Sequence, residues 1–108
     1  MTLKEIGQKE HKRAVRLGFY SPPKTDLENY AMFHSELSEA VEELRCDRSK
    51  MWLNRDNLPK PEGEVVELAD VIIRICDYCE AKGLDLEEAV KAKMEYNETR
   101  TYRHGKLF

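Results

Sequence analysis

The segment from about Glu62 to Lys82 constrains the fold most, because apolar residues cover almost the whole circumference of the helix that it predicts. A helix that is apolar nearly all round is buried. Between Val65 and Cys79 its charged residues fall in one narrow seam, at Glu67, Asp70, Arg74 and Asp77. A carboxylate in such surroundings must be paired or must bind a metal, and Arg74 is the one base in the seam. The segment therefore predicts a central helix that carries a polar site.

Turn and capping residues divide the rest of the chain. Helical spacing predicts further helices over about residues 3–17, 25–47 and 85–100, the second opened by a capping box at Thr25 and Glu28. Residues 49–61, with two asparagines and two prolines, predict a loop without strands, and residues 101–108 predict a short tail.

These segments predict an all-α fold. The 108 residues suit a single domain, with an N-terminal helix and linker over 1–24 followed by the rest of a four-helix bundle. Three helices of one chain leave part of an all-round apolar helix uncovered. We therefore expect a homo-oligomer, a dimer or a tetramer.

Two acidic motifs carry the chemistry, Glu36-x-x-Glu39 and Glu67-x-x-Asp70. Residues three apart share a helix face, so two adjacent helices would bring four carboxylates together. Such ligands suit hard cations, Mg²⁺ or Mn²⁺ as a substitute, and the chain lacks the Glu-x-x-His of di-iron bundles. For Glu36 and Glu39, an ordinary solvated helix face remains an equal alternative.

A second set of residues suits a phosphate chain. Lys93, Asn97 and Arg100 recur every three or four residues and so share one helix face. Cations late in a helix also favour its C-terminal dipole, which is an equally simple explanation. Trp52, in the predicted loop, is a candidate for stacking on a nucleobase, or else a packing anchor.

Net charge and cysteine positions limit the binding partners and the cellular compartment that we expect. A formal net charge of −3 provides no global basic field, so we expect no stable nucleic-acid binding. Cys76 and Cys79 lie within the apolar helix, where cysteine usually acts as a small hydrophobe, and a reducing cytoplasm fits best. Because the chain shows neither a signal peptide nor a membrane span, we expect a soluble cytoplasmic protein.

Together these motifs resemble the MazG-like, all-α nucleoside triphosphate pyrophosphohydrolases over roughly residues 26–106. The family pattern, ExxE and then ExxD after an insert, reads here as Glu36-Leu37-Ser38-Glu39 and Glu67-Leu68-Ala69-Asp70. The closing stretches from Lys93 to Arg100 and from Tyr102 to Lys106 are also similar to the C-terminal segment of that family.

The resemblance implies hydrolysis of an NTP or dNTP to the monophosphate and pyrophosphate. It implies that Glu36, Glu39, Glu67 and Asp70 hold Mg²⁺ and that Lys93, Asn97 and Arg100 contact the phosphates. Glu36 and Glu39 are the candidate catalytic residues, with Glu39 as hypothetical general base. Two alternatives stay open: another Mg²⁺-dependent phosphohydrolase, or a non-catalytic helical protein that binds nucleotide. The sequence does not determine base or sugar preference.

Overall fold

A computed structural model describes residues 1–56 and 58–100 and consists mostly of helix. Its elements, in chain order, are helix α1 (Leu3–Arg16), helix α2 (Asp26–Arg45), strand β1 (Trp52–Asn54), strand β2 (Lys60–Glu62), helix α3 (Glu64–Lys82) and helix α4 (Leu86–Glu98). The four helices confirm the predicted all-α class, and their ends lie within a few residues of the predicted ones. The predicted tail, 101–108, lies outside the described residues.

Side-chain caps begin three of the helices. The predicted capping box of α2 is confirmed: Thr25 Oγ1 accepts from the Glu28 amide at 3.2 Å and Glu28 Oε1 accepts from the Thr25 amide at 3.0 Å. Thr2 and Glu5 form the same reciprocal pair at α1, and Asp85 accepts from the Glu88 amide at α4. These caps satisfy amides that have no partner within the helix.

The predicted loop at 49–61 is wrong in one respect, because it contains an antiparallel hairpin of β1 and β2. Leu53 pairs with Pro61 at its centre, and three-residue strands are too short to show an alternating pattern. Gly63 ends the hairpin with a φ of 122° and lies against the Lys50 carbonyl, where a Cβ would clash. The hairpin is thereby fixed to the start of α3.

Helix α3 packs against both α1 and α2, as the sequence predicted for a central helix. Gly7 allows α1 to approach closely, since a Cβ there would lie 2.7 Å from the Cys76 carbonyl oxygen. On the other side, Tyr78 packs edge-on against Tyr30 and Phe33 of α2, with ring centroids 5.6 and 5.7 Å away. Helix α4 packs on α1, and Glu87 accepts a hydrogen bond from the Leu3 amide.

Helix α3 is not buried all round in the single chain, which agrees with the expectation that one chain leaves part of it uncovered. Val65, Leu68 and Ile72 are 50%, 41% and 49% exposed. The physical reason is that α1 and α2 cover α3 while α4 packs on α1, which leaves one side of α3 without a neighbour in the described part of the chain.

The three cysteines are free thiols. Burial raises the pKa of Cys76 and that of Cys79, so both thiols stay protonated and poorly nucleophilic. This is the behaviour predicted for small hydrophobic residues of α3. Among the described helices, none has the length and apolar character that crossing a membrane requires.

Candidate metal centre

The acidic motifs of α2 and α3 meet where these two helices pack together. Oxygen atoms of Glu36, Glu67 and Asp70 all lie within 4.8 Å of one another. Glu36 is the only charged residue that is buried among those described, at 6% exposure, while Glu67 and Asp70 are partly buried. The convergence that the i, i+3 spacing predicted is therefore present for three of the four carboxylates.

Glu39 lies beside this trio and is exposed. Burial, followed by the hydrogen bond and the charge of Glu39, raises the pKa of Glu67 to about 7; the charges of Asp70 and Glu36 add to the effect. A hydrogen bond between two carboxyl groups requires a proton on one of them. Glu39 is thus coupled to the trio through Glu67.

Two cations act on Asp70. Burial and the charge of Glu36 raise the pKa of Asp70, whereas the charges of Arg74 and Lys60 oppose that rise. Lys60 lies on β2, 3.6 Å from Glu62, so the hairpin brings a positive charge to the edge of the acidic cluster. The sequence predicted no role for Lys60, because the loop assigned to it showed no periodic signal.

Arg74 makes the shortest contact in the centre. Its Nε donates to Glu36 Oε1 at 2.6 Å, and the Glu36 side chain is only 7% exposed. The helix seam that contains Glu67 and Asp70 also contains Arg74, one turn further on. The sequence therefore showed this arginine near the acids, but not that it binds Glu36 of another helix.

The donor set fits a hard divalent cation. Clustered carboxylates repel one another and hold protons above their ordinary pKa, and a cation at their centre would reverse that preference. Three oxygen ligands at this separation leave coordination positions for water or for phosphate, as Mg²⁺ sites usually do. Glu36, Glu67 and Asp70 are the residues that would hold the ion, with Glu39 next to them.

The predicted phosphate-binding residues lie elsewhere in the single chain. The Lys93 Nζ is 4.9 Å and the Arg100 Cζ 5.3 Å from the centre of the Tyr96 ring, so both cations gather at one aromatic residue. Lys93 and Asn97 belong to α4, whereas Arg100 follows the end of that helix at Glu98. Helix α4 packs on α1, and the carboxylates belong to α2 and α3. Within the described residues of one chain, the fold does not join Lys93, Asn97 and Arg100 to the acidic trio.

Trp52 lies in β1 and is partly buried. Its indole Nε1 is buried and has no hydrogen-bond acceptor among the described residues, and the Arg48 guanidinium lies 5.5 Å from the ring centre. The ring is therefore partly enclosed at the hairpin and retains one unused donor.

Comparison with known proteins gave no match. The chain matches no family model, no curated protein and no solved structure.

Proposed function

We propose that this protein is a Mg²⁺-dependent nucleoside triphosphate pyrophosphohydrolase, which converts an NTP or dNTP to the monophosphate and pyrophosphate. The observation that carries the proposal is the convergence of Glu36, Glu67 and Asp70 from two helices, with Glu36 buried. The order of the acidic motifs and their resemblance to MazG-like enzymes support the choice of reaction.

Each acidic residue has a distinct part in this proposal. A bound divalent cation would neutralise phosphate charge and acidify a water, and Glu36, Glu67 and Asp70 would hold it. Glu39 is exposed and adjacent to Glu67, so it is free to accept the proton of the attacking water. Glu36 contributes to catalysis as the buried ligand.

A homo-oligomer, either a dimer or a tetramer, belongs to the same proposal. Helix α2 exposes Leu37, Val41 and Leu44 at helical spacing, with exposed fractions of 43%, 55% and 55%. Together with the exposed apolar residues of α3 they form two adjacent stripes that a second copy would cover. The partner's α4 and the residues that follow it could then supply the lysine, amide and arginine that one chain does not bring to its own carboxylates.

The reaction is tested by ³¹P NMR of the products formed from a panel of ribo- and deoxyribonucleoside triphosphates. We expect monophosphate and pyrophosphate, lost with EDTA and reduced more than about 100-fold in Glu67→Gln. Glu42→Gln, at an exposed position of α2, is the matched control and should retain activity. Diphosphate with phosphate would instead indicate another phosphohydrolase, and nucleotide binding without turnover a non-catalytic protein.

The oligomer is tested separately by sedimentation velocity. Leu68→Lys places a charge within the exposed stripe of α3 and should release monomers. Leu58→Lys changes an 84% exposed residue of the hairpin connection and should leave the assembly intact. A wild-type monomer at all concentrations would contradict this part of the proposal.

A further inference from the structure

Arg74 donates a hydrogen bond to one of the carboxylates that the proposed metal site needs. Its Nε donates to Glu36 Oε1 at 2.6 Å, which is short even for a hydrogen bond between charged groups. The two partners differ in exposure: the side chain of Glu36 is 7% exposed and that of Arg74 45%. The carboxylate is therefore enclosed, whereas the guanidinium borders solvent into which it can move.

The structure also provides a place for a displaced arginine. Arg74 lines a small cleft of about 40 Å³ together with Asp77, which lies three residues further along the same helix. Residues at this spacing are neighbours on a helix surface. The guanidinium can thus leave Glu36 and remain close to another carboxylate, one that His11 Nδ1 already contacts at 2.9 Å.

A divalent cation and the guanidinium compete for the Glu36 carboxylate. Both are positive, so each lowers the affinity of the cluster for the other, and this effect is larger around a buried group than in water. Without a metal, the arginine pairs with the buried carboxylate. An unpaired charge at that position would destabilise the fold.

We propose that Arg74 is the built-in counter-ion of the metal site: it holds Glu36 in the metal-free protein and is displaced from it when a divalent cation binds. Arg74 thereby sets the metal affinity, so the site fills at a higher metal concentration than its carboxylates alone would require. This inference rests on the proposed metal site, and it assigns to Arg74 a regulatory role that the acidic motifs do not contain.

The test is calorimetric titration of the metal-free protein with Mg²⁺, without nucleotide. Arg74→Gln retains an amide donor for Glu36 but removes the charge, and it should bind Mg²⁺ about tenfold more tightly than the wild type. Arg74→Lys keeps the charge and should stay near the wild type. Arg45→Gln is the matched control, since Arg45 forms an exposed pair with Glu42 on the same helix as Glu36.

A second readout does not depend on the titration. Arg74→Gln should lower the melting temperature in EDTA and increase the rise in melting temperature that Mg²⁺ causes, because a ligand stabilises in proportion to the logarithm of its affinity. Binding by Arg74→Gln alone, with none detected in the wild type, would also support the inference.

Equal or weaker Mg²⁺ binding by Arg74→Gln would overturn the role of Arg74 and leave the proposed metal site standing. Absence of binding in all variants would remove the metal site and this inference with it. The two failures are therefore distinguishable.

Discussion

Glu39 of α2 and Glu67 of α3 form a carboxyl pair across the two helices, in which burial and then the exposed Glu39 raise the pKa of partly buried Glu67. The pair can exist only while it retains a proton. Proton binding and metal binding therefore compete at the point where the two helices meet.

The metal-free protein should lose stability as the pH rises through the titration of Glu67. The folded-state pKa is about 7 and the ordinary value is 4.5, so between these values the folded protein holds a proton that the unfolded chain has released. Glu67→Gln remains neutral and should be more stable than the wild type by about 1 kcal/mol at about pH 8, after allowance for partial exposure.

Urea denaturation in EDTA at several pH values measures this difference, which should vanish near the ordinary carboxyl pKa. Glu42→Gln controls for the loss of one negative charge. A Glu67→Gln variant that is less stable than the wild type at high pH would contradict the predicted repulsion.

Stabilisation by Mg²⁺ should increase with pH over the same window. The cation requires deprotonated carboxylates, and Glu67 releases its proton only as the pH passes about 7. Thermal melts with and without Mg²⁺ should show a small rise in melting temperature on the acidic side of this value and a larger one on the basic side. In Glu36→Gln the rise should be lost at every pH, and a pH-independent rise would argue against Glu67 as a ligand.

Gly7→Ala should destabilise the fold by about 2 kcal/mol, because the added Cβ would force apart two helices that are in close contact. The nearest obstacle is the Cys76 carbonyl oxygen, 2.7 Å from the position of the new atom, and backbone cannot rotate away as a side chain can. Equilibrium denaturation measures the loss. Gln8→Ala, at the adjacent exposed position of α1, should change stability by less than about 0.5 kcal/mol.

The fluorescence of Trp52, the single tryptophan of the chain, should report nucleotide binding. With metal present, a non-hydrolysable triphosphate analogue should quench the emission if the base stacks on the indole, whereas pyrophosphate should not. Equal responses to both ligands, or none, would leave Trp52 as the packing anchor of the hairpin.

Mixing two inactive variants should restore activity if the partner supplies α4 to the site. Glu67→Gln and Lys93→Met each disable one half of every site, but a mixed dimer contains one site with neither change. Random exchange between dimers should then restore about a quarter of wild-type activity. Mixtures that stay inactive after subunit exchange is verified would place both residues in the same chain's site.

Local physical chemistry made the helices of this protein predictable. Periodic apolar residues, the Thr25–Glu28 capping box and glycines after helix ends act over only a few residues, so their effects can be read from the sequence. The hairpin could not be predicted in this way, because Leu53 pairs with Pro61 and Gly63 approaches the Lys50 carbonyl across many intervening residues.

The candidate site, too, has features that local helix geometry predicts and features that only helix packing decides. The sequence determined that Glu36 and Glu39 share one helix face and that Glu67 and Asp70 share another, because helix geometry sets the i, i+3 relation. The packing of α2 on α3 decided which acids converge, so that Glu36 is buried among the trio and Glu39 lies outside it. The same packing brought Arg74 to Glu36, and the hairpin brought Lys60 towards Asp70. Contacts between residues distant in sequence depend on how whole helices pack, which no short stretch of sequence specifies.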